Sequence, residues 1–326
     1  MLRGKLSRYL LSIVFVLSLD FFVVQFLPGD PLVHLLGEDA YVHLQTRNPH
    51  ALTELRAKYG LNRPMVERYL TAMADVLRFR LGWSYQYGRP VSQVLFYRLK
   101  WTMLLLVPAV CLSAAFGLFL GCLAGRPGKN RVDRVITPLC LTIYATPAYC
   151  LAFLLLLVFA FSSDLLPLGG MTGSAQTGYI SAGDVLRHLT LPLSVLVLHN
   201  TAYLAIIMRG AVRQAFTEDY VVTAVSKGLK RRAVMLRHVL LNALSPFVAA
   251  VAINFGFIAA GALLVEVVFS WQGMGSLMYE AVLARDYPVL SGSFLILALS
   301  VIGANIMADL FSTFIDPRVR DDAASA

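Results

Sequence analysis

The residues in this chain that could do chemistry stand mostly in apolar surroundings. Asp20, His199, Asn200, Asn254 and Asn305 interrupt long apolar runs, and Glu266 and Asp309 lie near the ends of two of them. Ionisable groups at membrane depth mark pathways, relays or bonds between helices. Hydrolysis inside a membrane would need two aspartates, or a serine with a histidine, held at one depth. Asp20 and Asp309 fall at different depths and no nucleophile motif flanks His199, so that chemistry is set aside. The nearest approach to a phosphate loop is Gly125-Arg126-Pro127-Gly128-Lys129-Asn130. Its glycines are too close together, and Asn130 stands where the loop needs Ser or Thr. It reads as a turn. Cys111, Cys122, Cys140 and Cys150 lie in uncharged apolar runs without CxxC spacing, so they read as packing residues and not as a metal site.

Composition says what must hold these groups. Charged residues are 14% of the 326, hydrophobic residues 58%, and the mean hydropathy is +0.68. Soluble globular chains carry about 25% charged residues. This composition excludes a soluble enzyme, a disordered chain and a collagen-like chain. The net charge of +9 would suggest nucleic acid in a soluble protein. Here the basic residues are placed against a bilayer instead, and no nucleic-acid partner is expected.

A helix needs roughly 20 apolar residues to cross a bilayer. Six runs qualify: 9–27, 101–125, 135–163, 188–208, 239–265 and 287–308. The expected fold is therefore an all-α integral membrane protein with six transmembrane helices. The first run is read as a retained span and not as a cleaved signal. On that count Asp20 lies near mid-bilayer, with His199 and Asn200 at the centre of the fourth span. Arg3, Lys5 and Arg8 precede the first span, Arg126, Lys129, Arg131 and Arg134 fill the second connection, and the 209–238 connection is the most basic of all. The 164–187 and 269–286 connections hold only Arg187 and Arg285. By the positive-inside rule both termini are cytoplasmic. Gly117, Gly121 and Gly125 have the spacing of a close helix–helix face, with plain lipid-facing glycines as the alternative.

The chain divides into a tail and first span (1–30), an extracytoplasmic insert (31–98), a five-helix core (99–315) and a cytoplasmic tail (316–326). In the insert, Val66, Tyr69, Leu70, Met73, Val76 and Leu77 recur at helical spacing after Pro64, which predicts an amphipathic helix. A shorter helix is expected at 51–59, closed by Gly60. The inner loop predicts two short helices. One opens at Glu218 and Asp219, where carboxylates suit the positive end of the dipole, and closes with Lys227 and Gly228. The other runs from about Lys230 into the fifth span. On physics alone this loop is either a solvated basic connection or a rigid handle for a cytoplasmic partner.

The loop resembles the EAA loop of binding-protein-dependent ABC importer permeases, and most closely that of the dipeptide/oligopeptide/nickel family. Asp219, Tyr220, Val221, Thr223, Ala224, Lys227, Gly228 and Leu229 stand in register with the pattern, followed by Arg237, His238, Leu240, Asn242, Ala243 and Pro246. Ser226 replaces the usual alanine. Further blocks agree: LPGDP at Leu27–Pro31, YGLNRP at Tyr59–Pro64, LGWS at Leu81–Ser84, GRPV at Gly88–Val91, FSWQGMG at Phe269–Gly275, RDYPV at Arg285–Val289 and DPRVR at Asp316–Arg320.

The resemblance implies a multi-pass inner-membrane permease subunit without enzymatic activity of its own. It implies a homologous second permease, two cytoplasmic ATPases that bind ATP and Mg, and an extracytoplasmic substrate-binding protein. This chain itself would hold no cofactor. The 209–246 segment would be the coupling loop, with Glu218, Asp219, Tyr220, Thr223, Ala224, Lys227, Gly228 and Leu229 meeting an ATPase. Asp20, His199, Asn200, Asn254 and Glu266 are the candidates for lining the passage. Di- or oligopeptides are the expected substrate, and nickel or a metal chelate is the alternative. An ion-coupled secondary transporter would show repeat symmetry with broken helices in matching positions, and the sequence has no such pattern.

Overall fold

The computed structural model describes residues 2–26, 31–58, 61–128, 131–172 and 181–315. Their regular elements are helices: α1 (Leu2–Phe26), α2 (Pro31–Leu36), α3 (Glu38–Arg47), α4 (Pro49–Lys58), α5 (Met65–Leu77), α6 (Val91–Ala124), α7 (Arg131–Ala145), α8 (Ala148–Leu155), α9 (Ala182–Phe216), α10 (Asp219–Ser226), α11 (Arg231–Val234), α12 (Leu240–Val268), α13 (Met274–Leu283) and α14 (Tyr287–Ile315). A π-helical stretch, Leu156–Ser162, extends α8, and another, Met235–Val239, joins α11 to α12.

Among the described residues, four helical stretches are long and apolar enough to cross a bilayer: Val91–Ala124, Ala182–Phe216, Arg231–Phe255 and Tyr287–Met307. Helices α7 and α8 pass the same test only as a pair bent by 100°. The third run, expected as one continuous span, is thus broken. Pro147 is the physical reason, since it has no N–H and disfavours helical geometry at Thr146. The chain restarts with Pro147 extended (φ −54, ψ 140) and Cys150 N–H donating to its carbonyl at 2.9 Å. Within α1, Asp20 interrupts an apolar run that continues through Phe21, Phe22, Val23 and Val24. Gly60, LPGDP from Leu27 to Asp30, and DPRVR lie outside the described residues.

The helices form two compact units, Trp101–Ser276 with the chain from Ser300, and Leu2–Lys100 with Leu277–Leu299. In the first, α9 is the axis. At 35 residues it reaches about 52 Å, well past a hydrocarbon core of about 30 Å. Helix α6 lies directly on it. A Cβ added at Gly117, Gly121 or Gly125 would stand 2.6, 2.5 or 2.7 Å from the Cβ of Leu204, Met208 or Val212. The small-residue spacing is therefore a helix–helix face. Cys140 of α7 packs in the same manner against Ala202 and Ala205.

The same unit contains the hairpin between α12 and α13. Glu266 is fully buried, with Oε1 accepting from the Thr102 hydroxyl at 2.8 Å. Its Oε2 accepts from the backbone N–H of Gly275 at 2.7 Å and of Ser276 at 3.1 Å. A Cβ at Gly273 would run into that carboxylate, which accounts for the glycines of the FSWQGMG block. Trp271 donates to the Trp101 carbonyl at 3.1 Å.

In the second unit, α5 forms where its periodicity predicts, but only part of its stripe is covered. Tyr69 bonds Ser18 at 2.7 Å and packs edge-on against Phe21. Val66, Leu70 and Leu77 remain exposed. Helix α6 already opens at Val91, ahead of the run expected from 101, and α13 occupies part of a segment expected as loop. A second buried carboxylate organises this unit. Asp286 accepts from Ser84 Oγ at 2.5 Å, Gln86 N–H at 3.1 Å and Val289 N–H at 3.4 Å, tying the LGWS block to RDYPV. Arg98 pairs with Glu280 at 2.7 Å, and the Tyr87 hydroxyl donates to the same carboxylate at 2.5 Å. Burial first, then that bond, pushes the Tyr87 phenol up from its ordinary range.

The α6–α9 contact has no room for a side chain. Gly121→Leu is expected to destabilise the protein by about 1–3 kcal/mol through overpacking, seen as a lower thermal unfolding temperature in detergent. An unchanged unfolding temperature would contradict the contact.

Candidate functional site

The polar loop after α9 is built from the residues that the sequence singles out. Helix α9 ends at Phe216, and Thr217 folds its hydroxyl onto the Gln214 carbonyl at 2.7 Å. Glu218 is extended (φ −75, ψ 143) and occupies the cap position of α10 without a side-chain cap bond. Its carbonyl starts the helix by accepting from Val221 N–H at 3.0 Å. Asp219 follows in the first turn, and its carbonyl takes the Thr223 hydroxyl at 2.9 Å.

The end of α10 is a paired glycine cap. Lys227 is the cap residue and Gly228 has φ +77. Gly228 N–H donates to Val225 at 2.9 Å and Leu229 N–H to Ala224 at 3.4 Å, the two bonds that close a helix through a left-handed residue. A Cβ at Gly228 would meet nothing within 4 Å. The constraint there is the dihedral angle and not space.

The two faces of α10 differ. Val221 and Ala224 are buried in a cluster with Met208, Val212, Val234 and Val239. That cluster fixes the short helix to the end of α9 and the start of α12. Around that buried stripe Tyr220, Val222 and Val225 of α10, and Leu229 just beyond it, are exposed, at 40%, 54%, 57% and 43%. These four large apolar groups form an uncovered patch on the loop.

A charge cluster braces the base of the loop. Asp133, at the start of α7, receives Arg209 Nε at 2.5 Å and Arg213 Nη2 at 2.6 Å, both from the last turns of α9. The Thr137 hydroxyl donates to the same carboxylate at 2.6 Å. In the sequence these arginines stand out only as topology markers, because Asp133 lies 76 residues from one and 80 from the other.

The polar residues of the apolar helices divide by what they bond. Asn200 is buried and donates to the Leu196 carbonyl of its own helix at 2.6 Å. Asn254 is buried. Glu266 is enclosed by the hairpin described above. His199 is half-buried beside the Tyr144 ring, 5.7 Å between centroids, and Tyr203 lies 5.5 Å from the same ring. Asp20 keeps its Oδ1 buried with no hydrogen-bond partner. No group of three or more His, Cys, Asp or Glu able to hold a metal occurs among the described residues.

The chain is similar to known transport proteins. Residues 117–321 match the family described as the binding-protein-dependent transport system inner membrane component. A relative from Brucella suis biovar 1, provisionally named a peptide permease protein, is 34% identical over 98% of this chain and 99% of its own. The dipeptide transport system permease protein DppB of Escherichia coli K12 is 29% identical over 97% of each. Among solved structures, the crystal structure of an amino acid ABC transporter with histidines aligns with a TM-score of 0.52 at 18% identity, covering 68% of this chain and 94% of that one. That likeness concerns the fold alone.

The cap of α10 depends on a left-handed residue, which disfavours a β-branched side chain by roughly 1–2 kcal/mol. Gly228→Val is expected to speed limited proteolysis between 217 and 239, while Gly228→Asn, which tolerates this conformation, changes it much less. Equal cleavage of both variants would remove the cap from the argument.

Proposed function

The chain belongs to the family of binding-protein-dependent transport system inner membrane components, and from that premise we propose that it forms half of the passage of an ATP-driven importer for di- and oligopeptides. The observation that carries this reading is α10, a short helix rigidly seated on α9 and α12 that leaves Tyr220, Val222, Val225 and Leu229 uncovered. An ATPase subunit covers that face. Glu218, Asp219, Thr223, Ala224, Lys227 and Gly228 shape it, and nucleotide-driven movement enters the bundle there.

The working assembly contains a second, homologous permease, two ATPases that bind ATP and Mg, and an extracytoplasmic binding protein. The chain crosses the bilayer six times, counting α1 as one span and the bent α7–α8 pair as another. Both termini and the coupling loop are cytoplasmic, as the excess of lysine and arginine in those segments argues. Peptide names among the relatives support a peptide substrate. His199 is our first choice for the passage, since its ring lies among Tyr144 and Tyr203 beside the bend at Pro147. Asn200 and Glu266 direct their hydrogen bonds into the protein, and with buried Asn254 they hold the passage in shape.

Docking and movement amount to coupling between two sites through a two-state bundle. Purification of the tagged chain from its native membrane in mild detergent is expected to recover ATPase, second permease and binding protein together. Val225→Glu places a charge in the docking face and is expected to reduce ATPase recovery about tenfold or more. Gly228→Val is expected to abolish peptide uptake by membrane vesicles with the protein still inserted. Full ATPase recovery with Val225→Glu, or normal uptake with Gly228→Val, would overturn the coupling assignment. ATP-dependent uptake of nickel in place of peptide would transfer the same machinery to a metal substrate.

A further inference from the structure

The transport reading leaves one cavity unexplained. It lies within the second unit, has a volume of about 630 Å³ and is bordered by Leu17 and Asp20 of α1, Asp75 and Val76 of α5, Arg80 and Trp83 of the following loop, and Ser291 and Leu295 of α14. Its size is that of a small-molecule site. The walls from Leu17, Val76 and Leu295 are apolar, and the polar side chains around the cavity are Asp20, Asp75, Ser291, Arg80, Tyr85 and the Trp83 indole.

We infer that this cavity binds the head group of a phospholipid that carries a primary ammonium. The first ground is Asp20. Its Oδ1 is buried with no donor from the protein, although the Ser291 hydroxyl is a neighbour of the carboxylate. A buried acceptor left unmade is costly, and a carboxylate in an apolar wall is matched best by a cationic donor. The second ground is the opposing charge. Asp75 adds a further carboxylate, while Arg80 is exposed at the edge. A zwitterion satisfies the set, with its ammonium toward Asp20 and Asp75 and its phosphate toward Arg80.

The third ground is position. The cavity lies where α1 meets the charged segment that carries Asp75 and Arg80, with Tyr69 of α5 bonded to Ser18 of α1 at 2.7 Å. Trp83 is 57% exposed at its edge, a residue type that concentrates where a bilayer meets water. A peptide amino terminus would bring the same ammonium, but the apolar walls and the exposed Trp83 at the edge fit a lipid with acyl chains.

The test reads lipid retention and not transport, so it stands or falls separately from the importer assignment. The purified protein is equilibrated with equal amounts of phosphatidylethanolamine and phosphatidylcholine, and the retained lipid is identified by native mass spectrometry. These head groups differ only in N-methylation, which removes every N–H donor. Retention is expected to favour phosphatidylethanolamine about tenfold, the equivalent of one charge-assisted hydrogen bond. Asp20→Asn, which preserves shape, is expected to abolish the preference, and Arg80→Gln to lower retention of both lipids. Equal retention of the two lipids, or an unchanged preference in Asp20→Asn, would overturn the inference. Displacement of the lipid by millimolar dipeptide would overturn it in favour of a peptide amino terminus.

Discussion

Hydrocarbon offers no water to a broken backbone, and the rest of this structure follows from that constraint. Helices meet it along their length, so the difficulty concentrates where a helix stops. At two such places a fully buried carboxylate supplies the missing acceptors. Glu266 gathers one hydroxyl and two backbone N–H groups where the chain turns from α12 into α13. Asp286 does the same before α14, with Ser84, Gln86 and Val289. A buried charge with a single donor would be a net loss, and several donors are what make it tolerable. The bend at Pro147 is met differently. Thr146 returns its hydroxyl to the Thr142 carbonyl at 2.9 Å, and the chain beyond α8 widens into a π-helical turn.

Rigid contact on one side and freedom on the other give α9 its mechanical character. Glycines of α6 press against it without intervening side chains, and Cys140 of α7 adds a second close contact. At its far end Asp133 grips Arg209 and Arg213. Arg213 is 47% exposed, and ion pairs of that kind contribute little to stability. Their effect is geometric, since two arginines on successive turns bonded to one carboxylate fix how the end of α9 turns relative to α7. A displacement at α10 therefore acts on α9 and α7 together, and α7 leads to the bend at Thr146 and Pro147.

Much of this was legible in the sequence because it depends on local chemistry. Pro64 and the stripe through Leu77 announced α5. Gly228 announced a left-handed cap after a helix opening at Asp219. Hydropathy located the long helices, though with α6 beginning at Val91 and not at residue 101. What escaped depends on partners distant in the chain. Glu266 looked like a polar residue at a span end because Thr102 lies 164 residues away. Asp133 looked like a loop charge for the same reason. The break at Pro147 was hidden because hydropathy is equally high on both sides, and a proline in such a run is compatible with a kink as well as a stop.

The uncovered face of α10 could in principle meet either lipid or protein, and its charges separate the two. Glu218 and Asp219 stand at one end of the helix, and Lys227, Lys230, Arg231 and Arg232 at or just beyond the other. The helix is eight residues long, about 12 Å, so any surface that covers Tyr220 and Val225 also meets both charge groups. An anionic leaflet would attract the basic end and repel the acidic one. A protein groove can answer both, with basic groups against Glu218 and Asp219 and acidic groups against the lysines and arginines. In the proposed docking, the exposed apolar residues supply the contact area and the flanking charges supply the register, a pairing that suits a protein groove better than a membrane surface.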